Sequence, residues 1–130
     1  MNIGQASKAS GVNAKMIRHY ESIGLIPKPK RTDAGYRVYA ENDVHSLRFI
    51  RHSRDLGFSM KEIKKLLGLW RNRSRASAEV KKLALSHIQE LETKIQELER
   101  MRDALAAFAR HCHGDNRPEC PILAELAEEC

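Results

Sequence analysis

Asn13-Ala14-Lys15-Met16-Ile17-Arg18-His19-Tyr20-Glu21-Ser22, preceded by Ser10-Gly11-Val12 and followed by Gly24-Leu25-Ile26-Pro27, is the stretch on which the fold turns. Asn13 is a good N-cap, because its side-chain oxygen can accept from an orphaned first-turn N–H, and a helix is expected from Ala14 to about Ser22. Upstream, Ile3-Gly4-Gln5-Ala6-Ser7-Lys8-Ala9 carries apolar or small residues at helical spacing. It stops at Ser10-Gly11, where glycine can take the left-handed conformation that ends a helix. Two short helices about a tight glycine-containing turn are the pattern of a helix-turn-helix. Downstream, Pro27 and Pro29 forbid regular helix, Asp33-Ala34-Gly35 signals a turn, and Tyr36-Arg37-Val38-Tyr39 alternates as a short strand. Together they read as a β-hairpin, or wing, after the second helix.

Beyond the wing the periodicity is helical. A third helix is expected over roughly 41–56, opened by Glu41 or Asn42, with Val44, Leu47, Ile50 and less cleanly Phe49 on its apolar face and Gly57 at its end. Ser59 with Glu62 three residues on makes a capping box for a fourth, about 60–71, whose inward residues are Ile63, Leu66, Leu67 and Trp70. After the polar connector 72–76, Ser77 is a plausible N-cap for a helix over about 78–111. Its length would be roughly 50 Å at 1.5 Å per residue, too long to pack on so small a lobe. Ile88, Leu91, Ile95, Leu98, Leu105, Ala109 and Cys112 follow one 3-4 repeat interrupted only by Arg102, with charges such as Glu90, Lys94 and Glu97 on the flanks. A two-stranded coiled coil with a second copy of the chain follows, and the pattern by itself leaves its direction open.

The expected fold is therefore mainly α. Residues 1–75 form a winged helix-turn-helix lobe, 76–111 a dimerisation helix, and 112–130 a loop and short helix. Charge divides along the same line: residues 1–75 carry 16 Lys and Arg against 6 Asp and Glu, whereas 76–130 carry 7 against 11. A basic half of this kind suits a polyanion, and the acidic half another task. No apolar run is long enough to span a bilayer and the N-terminus lacks a signal-peptide core, which points to a cytoplasmic chain with reduced thiols and no membrane partner. No nucleophile–base constellation argues for an enzyme.

Within the second helix Lys15, Arg18 and Tyr20 are the candidates to enter a major groove; Lys15 and Arg18, three apart, share a face. Arg31, Tyr36 and Arg37 of the wing suit backbone phosphates, and Arg54 at the end of the third helix is a further candidate. The strings Met1-Asn2-Ile3-Gly4, Arg18-x-Tyr20-Glu21-x-x-Gly24-Leu25, Gly35-Tyr36-Arg37-x-Tyr39 and Leu56-Gly57-Phe58-Ser59 resemble the MerR family of transcriptional regulators over residues 1–112. That resemblance implies a winged lobe on promoter DNA and an antiparallel coiled-coil homodimer. It also implies activation by distorting an overlong promoter spacer so that RNA polymerase, a partner through the shared promoter, engages both elements.

Cys112 and Cys120 bracket a polar segment just past the long helix, where Gly114 and Pro118 can set turns and Pro121 restrains the exit. Two thiolates are a complete ligand set for linear Cu(I), Ag(I) or Au(I), while Zn(II) normally takes four donors. His111, His113 and Cys130 are the residues a divalent or Zn(II) site would add. A cytosolic thiol or copper-carrier protein, and a ligand-free DNA-architectural protein, are the alternatives outside metal sensing. The segment Cys112-His113-Gly114-Asp115 with Cys120-Pro121-Ile122-Leu123 is similar to the metal loop of the copper-responsive CueR subgroup. Divalent-metal members carry a cysteine where this chain has Ser77, so the resemblance implies a +1 ion. Ser77 and Lys81 near the N-terminus of the partner's long helix are candidates to offset the net negative charge of the bis-thiolate complex.

Overall fold

Asn2 and Gln5 cap the first helix, α1 (Ile3–Ser10), reciprocally: the Gln5 N–H donates to Asn2 Oδ1 at 2.8 Å and the Asn2 N–H to Gln5 Oε1 at 2.9 Å. This computed structural model describes residues 1–112, 114 and 120–127. The expectations attached to His113, Pro118 and Cys130 lie outside the described residues. Gly11 ends α1 at φ 76°, with its N–H donating to Ser7 O at 2.8 Å. A β-carbon there would lie 1.9 Å from Nη1 of Arg51, which would have to move aside. Gly11→Ala is accordingly expected to lower the unfolding free energy by about 1–2 kcal/mol, mainly through left-handed backbone strain. Urea denaturation checks this, and an unchanged midpoint would refute it.

Asn13 caps α2 (Ala14–Ser22) by accepting the Met16 N–H at 2.8 Å. The wing consists of β1 (Lys30–Arg31) and β2 (Arg37–Val38), antiparallel, with Lys30 opposite Val38 and Arg31 opposite Arg37. The strand is shorter than the expected 36–39, because Pro27 and Pro29 lack N–H donors and leave little upstream chain to pair. Tyr39 pairs with Met1 instead: its N–H donates to Met1 O at 2.7 Å and the Met1 amine to Tyr39 O at 2.9 Å.

Helix α3 (Glu41–Asp55) starts where Asp43 accepts the Ala40 N–H at 2.9 Å, and Gly57, at φ 85°, turns the chain after it. Helix α4 (Met60–Arg71) carries the expected capping box, Glu62 N–H to Ser59 Oγ at 3.2 Å and Ser59 N–H to Glu62 Oε1 at 2.9 Å. Helix α3 packs against both α1 and α4. The core at that junction contains Ala6, Ile17, Leu47, Ile50 and Ile63, all with no exposed surface. Arg48 secures the junction of α1 and α3 by donating twice, at 2.8 and 3.0 Å, to the Ala9 carbonyl left open at the end of α1. Two inward assignments fail on α4. Leu66 is only half-buried, and Trp70, in the last turn, is 41% exposed with the Phe49 ring stacked on it at 4.7 Å.

The chain divides into two compact units, Met1–Lys81 and Lys82–Cys130. Helix α5 (Ser77–His111) crosses that boundary. Ser77 is its first helical residue rather than the cap outside it, since the Glu79 N–H already donates to Ala76 O at 3.1 Å. Ile88, Leu91, Ile95, Leu98 and Leu105 of the 3-4 repeat are all exposed along α5, as are Leu85 and Met101. A stripe of large apolar side chains on one helix face is unfavourable in water unless another surface covers it. The last element, α6 (Pro121–Leu126), begins with proline at its first position, where the missing N–H costs nothing. Its Leu123 and Leu126 are 64% and 66% exposed in the single chain, and Ile122 is half-buried.

Candidate nucleic-acid interface and metal centre

Helix α2 presents Lys15, Arg18, His19 and Ser22 to solvent and buries Ile17, Tyr20 and Glu21. His19 adds a polar ring to this face that charge counting passed over. The expected DNA contact by Tyr20 is corrected: the ring is 2% exposed and its hydroxyl accepts from Nη1 of Arg54 at 2.8 Å. Three residues beyond Ile17 on the inner side of the helix, the phenol belongs to the core and orients an arginine instead of meeting a base.

Two basic clefts flank α2. One, about 270 Å³, is lined by Gly11, Asn13, Met16, Tyr20, Arg51 and Arg54 among others. The other, about 510 Å³, lies between α2 and the wing and is lined by Arg18, Glu21, Lys28, Arg31 and Arg37 among others. In the wing, Arg31 Nη1 donates to Gly35 O at 2.8 Å and stiffens the turn, and Tyr36 at the tip is 72% exposed. Arg37 is half-buried, and its Nε donates to Glu21 Oε2 at 3.0 Å. The same carboxylate accepts the Tyr39 hydroxyl at 2.5 Å through Oε1. Burial first, then the Glu21 hydrogen bond and charge, push the Tyr39 phenol far above its ordinary pKa, so it stays a donor. Sequence reasoning missed Glu21 and Tyr39. The available signal was a lone acid on α2 with Arg37 and Tyr39 two apart, hence on one face of a strand.

In the second unit, Cys112 follows the end of α5 and Cys120 precedes α6; their sulfurs are 3.9 Å apart and both residues are half-buried. Both thiols are free, and the separation is well beyond the roughly 2.05 Å of a disulfide bond. The Cys120 side chain makes no full capping hydrogen bond to α6. The backbone amide of Leu123 nevertheless lowers the thiol pKa most, with smaller help from Ile122 and Cys112, against the opposing effect of desolvation. A softer, more readily ionised sulfur is the donor that a thiophilic ion takes. No third His, Cys, Asp or Glu among the described residues joins the two sulfurs in a metal-sized cluster. This donor set, two converging thiols, fits a soft metal ion.

Residues 1–69 match the MerR HTH family regulatory protein description, and residues 44–108 match that of MerR, DNA binding. The chain belongs to the MerR family. As a MerR protein it is a DNA-binding transcriptional regulator and not an enzyme. Among its relatives, heavy metal-dependent transcription regulator 2 of Rhizobium meliloti strain 1021 is 61% identical, covering 98% of this chain and 86% of the relative. The HTH-type transcriptional regulator CueR of Salmonella typhi is 40% identical, covering 100% and 94%. The transcription regulator PbrR691 from Ralstonia metallidurans CH34, in complex with lead(II), superposes with a TM-score of 0.83 at 34% identity, covering 97% and 98% of the two chains. Among the described residues of this MerR protein, no helix is long and apolar enough to cross a membrane.

Proposed function

We propose that this MerR regulator is a cytoplasmic homodimer that binds promoter DNA and activates transcription in response to Cu(I), with Ag(I) or Au(I) also accepted, through Cys112 and Cys120. The observation that carries the reading is the pair of free thiols 3.9 Å apart where α5 ends and α6 begins. Soft monovalent d¹⁰ ions favour sulfur and are satisfied by two donors. The names of the relatives, a heavy metal-dependent regulator and CueR, support a metal input. Ser77 opens α5 with a hydroxyl in place of a third thiol, and Lys81 follows one turn on. Two thiolates and a +1 ion leave one negative charge, which the dipole at the partner's α5 N-terminus and the partner's lysine ammonium would offset. The ion, by joining the two cysteines, biases the dimer between two DNA-bound geometries. Lys15, Arg18, Arg31, Tyr36, Arg37 and Arg54 hold the duplex, and polymerase is reached through the distorted promoter.

In vitro transcription from the native promoter, titrated with buffered Cu(I), Ag(I), Au(I) and Zn(II), tests the whole reading. Activation by the monovalent ions and silence with Zn(II) are expected. The lead(II) complex of the PbrR691 neighbour favours a divalent reading instead, in which further donors complete the site; activation by divalent ions alone would establish it. Lys81→Met is expected to weaken Cu(I) affinity by about 10-fold or more, the scale on which groups behind metal ligands act. Unchanged affinity in a Cu(I) competition titration would remove Lys81 from the site.

A further inference from the structure

We propose that Glu21 is a positioning residue for DNA recognition, locking the wing to the recognition helix through Arg37 and Tyr39 so that helix and wing meet the duplex at one set separation. The inference rests on the reading that α2 and the wing hold the DNA. Glu21 cannot touch DNA itself, because its side chain is 8% exposed. Both of its oxygens are engaged by the wing segment, Oε1 by the Tyr39 hydroxyl at 2.5 Å and Oε2 by Arg37 Nε at 3.0 Å. Tyr39 is 2% exposed and belongs to the core, so the connection runs from the core through the carboxylate to an arginine at the cleft.

The wing needs such a tie. Its strands are two residues each, and a hairpin that short is not stable alone in water. With Nε held by Glu21, the terminal nitrogens of Arg37 keep a fixed direction at the cleft that Arg18, Lys28 and Arg31 also line. Arginine ordered before binding loses less entropy when it meets a phosphate.

Positioning and simple charge counting have opposite signs at Glu21. A carboxylate beside a basic cleft repels a polyanion, so removing its charge without disturbing geometry would tighten DNA binding. Removing a positioning group loosens it. In Glu21→Gln the amide oxygen can still accept from Arg37 Nε and the amide N–H can donate to the Tyr39 oxygen, but the bond that holds the guanidinium falls from a charge-assisted one to a neutral one.

The probe is a duplex selected from a random library by the wild-type dimer, with a random-sequence duplex of equal length beside it. Glu21→Gln is expected to weaken binding to the selected duplex by about 5-fold, the scale on which a charge-assisted hydrogen bond exceeds a neutral one. Its slope of log affinity against log salt should flatten by about one phosphate contact. Tyr39→Phe should weaken binding in the same direction by a smaller factor. Arg37→Gln combined with Glu21→Gln should be no weaker than Arg37→Gln alone. Tighter or unchanged binding by Glu21→Gln, or additive losses in the double variant, would overturn the assignment. Thermal unfolding is followed for each variant; should Glu21→Gln not fold, Tyr39→Phe decides, and wild-type affinity in it would overturn the assignment. A wild-type protein that binds no duplex at low salt would sink the underlying reading of α2 and the wing instead.

Discussion

Replacing Cys112 and Cys120 together with serine is expected to abolish metal-dependent activation and to lower Cu(I) affinity by more than about 100-fold. The lower bound follows from the roughly 10–100-fold that groups merely supporting a metal ligand command, since here the ligands themselves are removed. A serine hydroxyl is a hard, weakly acidic donor and does not replace a thiolate for a soft ion. Operator affinity is expected to stay within a few-fold of wild type. The two cysteines belong to the unit Lys82–Cys130, whereas the residues proposed to hold the duplex all belong to Met1–Lys81. Buffered Cu(I) titration and promoter binding, measured on the same preparation, separate the two effects. A variant that still activates fully with metal would move the sensor elsewhere, and one that activates fully without any metal would support a ligand-free architectural role.

The second large effect concerns the α5 stripe. Ile95→Glu combined with Leu98→Glu is expected to convert the protein to monomers at micromolar concentration. The two side chains are 53% and 63% exposed in the single chain, so about half of each remains for a partner to cover. Full burial of such a residue contributes about 1.5–3 kcal/mol. Half that value, counted on two residues from each of two chains, is roughly 3–6 kcal/mol, or a weakening of dimerisation by about 10²–10⁴. Four introduced carboxylates add repulsion in the same direction. Sedimentation equilibrium reads the oligomeric state, and far-ultraviolet circular dichroism checks that α5 persists. A double variant that remains dimeric would place the interface on a different surface.

Local features are legible in the sequence. Asn13 and Ser59 mark helix starts and Gly11 a helix end because caps and left-handed turns act within four residues of themselves. Cys112 and Cys120 were legible as a pair, since the long helix had to end near the first of them and Pro121 had to open something new after the second. Less of the DNA face could be read. Tyr20 looked like a contact because it lies in the recognition helix beside Arg18 and His19, yet one residue of rotation, about 100°, separates solvent from core on a helix. Trp70 erred the other way: it continues the apolar spacing of Ile63, Leu66 and Leu67, but α4 outruns the core that would have covered it.

What the chain's order alone determined was the succession of elements, their ends, the basic and acidic halves, the unpaired apolar stripe of α5 and the two thiols. Each of these depends on neighbours three or four residues away or on bulk charge. Tertiary structure alone decided that Glu21 joins Arg37 and Tyr39, that Arg54 is held by Tyr20, that Arg51 closes over Gly11, and that the two sulfurs converge to 3.9 Å. The first three join residues 16 to 40 positions apart, and the last joins two thiols eight positions apart. Hydrogen bonds over such distances follow from how helices and wing dock, and docking is set by the shape of the whole buried core rather than by any local run of residues.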